Sequence, residues 1–157
     1  MIKAVQTKSA SVPTGLGRKM LKRMVYGASI GIETTKVDEL IDIIKVGLPI
    51  TAFEALQHKL DIPASDLAEV ISIPVRTLTR RKATGRLDQN ESERLFRVAK
   101  VFDKASDVLG DATRAQAWCL SPCRALSNKT PLEYAGSELG AQEVFDLLGR
   151  LEHGVLA

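Results

Sequence analysis

Residues 64–86 read "ASDLAEVISIPVRTLTRRKATGR". Pro63 suits the first turn of a helix, and Leu67, Val70 and Ile71 follow it at helical spacing. The short break "SIP" comes next, and then a second helix is predicted over 75–83. At helical periodicity Val75 and Leu78 lie close together and form its inner edge. Arg76, Thr77 and Arg80 then face outward, with Thr79 and Arg81 on the flanks and Lys82 following. From Ser72 to Arg86 there are five basic residues and no acid, although Glu69 and Asp88 stand on either side. Two short helices joined by a tight turn, the second basic on its outer face, make the helix-turn-helix pattern. Phosphates call for Lys and Arg, Arg is the best bidentate reader of guanine, and threonine hydroxyls reach phosphates or base edges. Taken alone, a solvated basic face is the commoner meaning of such a block. The preceding helix, the break and the aliphatic anchors favour DNA, with Arg76, Thr77, Thr79, Arg80, Arg81 and Lys82 as the contacting residues.

Outward from this stretch, every element reads as helix. Val37, Leu40, Ile41 and Ile44 make one apolar face, closed by Gly47 and Pro49. A helix after Thr51 turns Phe53, Leu56 and Leu60 inward. Glu91 to Leu109 is a long amphipathic helix with Leu95, Val98, Phe102, Ala105 and Leu109 on one face, and Gly110 ends it. Ala112–Cys119 is a short helix carrying Trp118. In "TPLE", residues 130–133, Thr130 is the cap, Pro131 the first helical residue and Glu133 the reciprocal partner. Val144, Leu147, Leu148 and Leu151 give the last helix its face, which Gly154 closes. The expected fold is all-α: a helix-turn-helix domain followed by a small C-terminal helical domain.

Composition agrees. The chain of 157 residues is 45% hydrophobic and only 4% aromatic, so its core is aliphatic. No run approaches the ~18 apolar residues of a membrane span. The net charge of +3 divides unevenly: +6 over residues 1–36, −5 over 37–73, +5 over 74–86 and −3 over 87–157. The small, polar start reads as a basic arm over residues 1–33. It either tracks phosphates or is merely a solubilising tail. Its resemblance to an organelle transit peptide is faint, and "GLGRK" at 15–19 lacks the spacing of a phosphate-binding loop. Cys119 and Cys123 have no neighbouring His and read as buried thiols in a reducing cytoplasm, with no metal and no cofactor implied. His58 and His153 pair with nothing at a metal or triad spacing, and carboxylates such as Asp103 and Asp107 are expected on solvated faces, so catalysis is not expected.

The stretch "ASDLAEVISIPVRTLTRRKATGRLDQNESERLFRVAKVF" resembles the helix-turn-helix of Xre-type antitoxins. Ser72 stands where the turn glycine is usual, and Pro74 where the capping serine is usual. The last forty residues, "WCLSPCRALSNKTPLEYAGSELGAQEVFDLLGRLEHGVLA", are similar to the toxin-binding domain of Xre/MbcA/ParS antitoxins. The resemblance rests on Trp118, Pro122, Ala125-Leu126, Thr130-Pro131-Leu132, Gly140, Val144 and Leu147-Leu148, and on the closing "GRLEHGV". Ser127-Asn128 stand where Gly-Gly is common. The resemblance implies a cytoplasmic type II antitoxin with a helix-turn-helix domain over 34–100 and a toxin-binding domain over 101–157. Its implied partners are a RES-type toxin that consumes NAD+, operator DNA and a second copy of itself. The faces of the 91–109 helix and of the C-terminal bundle are the expected dimer surfaces. With that resemblance, Arg150, Glu152, His153, Gly154, Val155, Leu156 and Ala157 are the expected toxin-contacting residues, with Glu152 and the terminal carboxylate mimicking substrate charge. The alternative is a stand-alone dimeric repressor.

Overall fold

The computed structural model describes residues 27–154. Among them the chain forms eight α-helices, two short 3-10 helices and no strands. The first 3-10 helix is Ala28–Ile30. Then come α1 (Val37–Val46), α2 (Ile50–Leu60), α3 (Ala64–Val70) and α4 (Val75–Thr84). The long α5 is Gln89–Leu109, followed by α6 (Ala112–Cys119), the second 3-10 helix (Arg124–Leu126), α7 (Pro131–Tyr134) and α8 (Glu138–Glu152). The all-α expectation holds.

Helix α5 organises the molecule. Asp88 caps it by accepting from the Glu91 N–H, while Glu91 accepts from the Asp88 N–H, so two orphan donors are satisfied at once. Leu95, Val98, Phe102 and Ala105 are buried along it as their spacing predicts. On one side α5 packs against α1 and the first 3-10 helix, and on the other against α6 and α8. The result is a single aliphatic core running from Phe53, Leu56 and Leu67 to Leu126, Val144 and Leu148. The expected boundary near residue 100 therefore falls inside a continuous helix, and both halves share its burial. Because the α5 face is used up by this core, it is not the free dimer surface that the sequence suggests.

The loops flanking the helix-turn-helix are tied together. The Leu87 N–H donates to the Leu48 carbonyl (2.9 Å) and the Ile50 N–H to the Gly85 carbonyl (2.9 Å). Gly47, at φ 103°, is required here, since a Cβ would lie 2.2 Å from the Leu87 carbonyl oxygen. The Arg86 guanidinium closes the same crossing by donating to the Gly47 carbonyl, and the buried Ser92 hydroxyl accepts from the Leu48 N–H at 2.8 Å.

Three expectations need correction. Residues 27–33 belong to the packed body, with Ile30 and Ile32 buried; residues 1–26 of the expected arm lie outside the described residues. Asp103, expected on a solvated face, is partly buried and accepts from the backbone N–H groups of Gly27 (3.0 Å) and Ser29 (3.2 Å). Burial raises its pKa against the opposing pull of those hydrogen bonds. The face of α1 is only half used: Leu40 is buried and Ile44 partly so, while Val37 and Ile41 remain exposed. Cys119 is buried, which pushes its thiol up to about 12, and Cys123 is partly buried; both are free thiols.

Candidate functional site

The turn between α3 and α4 is built from the backbone. Ser72 sits at φ 57°, the left-handed conformation that explains why glycine suits this position. The Ser72 N–H donates to the Glu69 carbonyl at 3.1 Å and the Ile73 N–H to the Ala68 carbonyl at 2.8 Å. Ile71 and Ile73 plug the turn into the core, and the Arg94 side chain donates to the Ile71 carbonyl from α5 at 2.6 Å. Pro74 precedes α4 and makes no side-chain cap, because its ring carries no acceptor for the helix N–H groups.

On α4, Leu78 alone is buried. Val75 was expected beside it but is 65% exposed, because Ile73 already fills the inward place at this end of the helix. Arg76, Arg80 and Lys82 are exposed, and no described residue pairs with them. Thr77 is half-buried. The Thr79 hydroxyl donates to the Val75 carbonyl at 3.1 Å, so its proton is committed to the helix.

Arg81 differs from its basic neighbours. Its Nε donates to Glu91 Oε2 at 2.8 Å and its Nη2 to Asp88 Oδ2 at 3.0 Å. Glu91 is buried, and its hydrogen bonds, with burial opposing, hold the Arg81 pKa above the ordinary guanidinium value. Three residues after Leu78, Arg81 lies on the inward side and clamps α4 to the capped start of α5. Arg81, expected on the flank among the DNA-contacting residues, is held by Glu91 and Asp88 and orients the helix that presents Arg76 and Arg80.

The C-terminal half is fastened with similar economy. Thr130 and Glu133 form the expected reciprocal cap, which lowers the Glu133 pKa through the Thr130 backbone and hydroxyl donors. Ser127 and Asn128 have φ 58° and 64°, so consecutive glycines are the natural residues here. Arg97, unremarked in the sequence, donates to the carbonyls of Ala135 (3.2 Å) and Gly136 (2.9 Å) and pairs with Glu138. It fixes the α7–α8 corner on α5. Gly140 packs so closely there that a Cβ would lie 2.0 Å from the Tyr134 carbonyl oxygen.

At the end of α8, Arg150 and His153 are exposed and Gly154 takes φ 71°. Glu152 is not the open carboxylate expected: Lys104 binds it at 2.9 Å, and only 21% of its side chain is exposed. Val155, Leu156 and Ala157 lie outside the described residues. An apolar groove of about 510 Å3, floored by Ile62, Val70, Leu120 and Leu132 and rimmed by Asp66, Glu69 and Glu133, runs between α3 and α7. Neither this groove nor the exposure of Val75 is legible in helical spacing. Among the described residues there is no group of side chains placed to hold a metal ion, and no helix is long and apolar enough to cross a membrane.

Comparison with known proteins agrees with both halves of this geometry. Residues 39–100 match the antitoxin Xre-like helix-turn-helix domain, and residues 104–154 match the antitoxin Xre/MbcA/ParS C-terminal toxin-binding domain. The chain is 37% identical over 130 residues to Antitoxin Xre of Yersinia enterocolitica, covering 82% of this chain and 88% of the relative. It is 31% identical over 131 residues to Antitoxin Xre of Photorhabdus laumondii, covering 82% and 88%. Against Antitoxin Xre of Pseudomonas putida it is 34% identical over 83 residues, 52% of each chain. With a helix-turn-helix and a toxin-binding domain built on one shared helix, and relatives matched along most of its length, the chain belongs to the Xre family of antitoxins, which are binding proteins and not enzymes.

Proposed function

We propose that this chain neutralises a cognate RES-type, NAD+-degrading toxin by covering its active site, and that it represses its own operon as a homodimer on inverted half-sites. The observation that carries the reading is the pairing of two matched domains on one core, with an exposed Arg76–Arg80 face that no described residue pairs with. A single helix-turn-helix reads only a few base pairs, which favours a symmetric pair. On the toxin side, the exposed end of α8 offers Arg150, His153 and Gly154, and leads into residues 155–157. Glu152 is held at that end by its ion pair with Lys104.

The test uses a RES-type toxin, sought first in the genes neighbouring that of this chain. NAD+ consumption by the purified toxin should stop as the antitoxin is added to stoichiometry. Deleting residues 153–157 should restore consumption while leaving helix content and DNA binding intact. Consumption that continues with the full chain in excess would refute the neutralising role.

A further inference from the structure

The outer surface of α4 carries two parallel rows. Leu78 marks the inward direction. At 3.6 residues per turn, Arg76 and Arg80 lie on the opposite side, about 160–200° away. Val75, Thr79 and Ala83 follow one another at four-residue spacing, about 60–140° from Leu78, and so run alongside the arginines. All three are exposed. Val75 belongs to the few large aliphatic side chains left in solvent among the described residues. With its hydroxyl turned back to the Val75 carbonyl, Thr79 contributes a methyl group to the row, and Ala83 contributes another.

A row of cations beside a row of methyl groups suits the major groove. There, guanine offers two acceptors to arginine, and thymine offers the C5-methyl group, which is apolar. Resting on the DNA-binding reading above, we propose that Val75 and Thr79 are specificity-determining residues that read thymine methyl groups next to the bases or phosphates contacted by Arg76 and Arg80. The arginines alone cannot tell thymine from cytosine through a methyl group; the aliphatic row can.

The experiment begins with duplexes selected from a random library by the full chain. Each thymine of the enriched half-site is then replaced singly by deoxyuridine, which removes only the methyl group. One or two replacements should weaken binding about four-fold each, the worth of one buried methyl-sized group. Val75→Ala should weaken binding to the thymine duplex by a similar factor and be insensitive to deoxyuridine at its position. Thr79→Ser, which keeps the hydroxyl and loses the methyl, should do the same at the neighbouring position. Val75 is exposed, so the helix signal of the variant should be that of the wild type. If every deoxyuridine duplex binds as tightly as its parent, or if Val75→Ala keeps the full sensitivity, the proposal is overturned while DNA binding stands. If no sequence is enriched, the DNA-binding reading falls and takes the proposal with it.

Discussion

Arg80 and Arg81 are adjacent, identical in type and opposite in role. Arg80 is exposed and unpaired among the described residues; Arg81 is spent on Glu91 and Asp88. Arg81→Ala leaves the buried Glu91 carboxylate without its cation. It should cost roughly 1–3 kcal/mol of unfolding free energy, less than a fully buried pair because Arg81 keeps some solvent contact. Arg80→Ala should change stability by no more than about 0.5 kcal/mol while weakening binding to selected DNA. Urea unfolding beside a binding titration separates the two, and equal effects on stability would contradict the assignment. Helical spacing alone cannot separate them, because the partner of Arg81 lies ten residues away on another helix. Asp103 escaped the sequence for the same reason: its donors are backbone groups more than seventy residues distant. Its raised pKa means that the native state holds a proton the unfolded chain has lost. From the unfolded value of 3.8 up through the higher folded value, stability therefore falls as pH rises. Asp103→Asn should flatten that part of the stability–pH profile, and an unchanged profile would show that the carboxyl is not desolvated.

The elements were mostly legible, and the reasons are local. Leu95, Val98, Phe102 and Ala105 on α5, and Val144, Leu147 and Leu148 on α8, are buried as their periods demand. The Thr130–Glu133 box marks its helix start by chemistry alone. Less legible was α1, whose four-residue apolar pattern is only half covered, since a period reports a face and not the width of its partner. The turns carry the next prediction. Ser127 and Asn128 hold left-handed backbone without glycine's freedom. Replacing both by glycine should relieve strain of about 1–2 kcal/mol per residue for serine and less for asparagine. Greater freedom of the unfolded chain offsets about 0.5–1 kcal/mol of each gain. A net rise in Tm of the double variant is expected, and a fall would mean that the native side chains contribute more than their strain costs.

At the scale of the whole molecule, the two proposed binding ends are mounted on one core. The basic face of α4 and the end of α8 are both positioned by α5, through Arg81–Glu91 on one side and Lys104–Glu152 on the other. The sequence conveyed the two parts through their motifs. It did not convey their union, because the Glu152 partner and the docking of residues 27–33 emerge only when distant segments meet. The central claim, that this chain is an antitoxin, is tested most directly by growth of cells that express its proposed RES-type toxin under separate control. Co-expression of the full chain should restore growth to that of cells without toxin, and Arg80→Ala should restore it equally well. Continued arrest in the presence of abundant, folded protein would contradict the account.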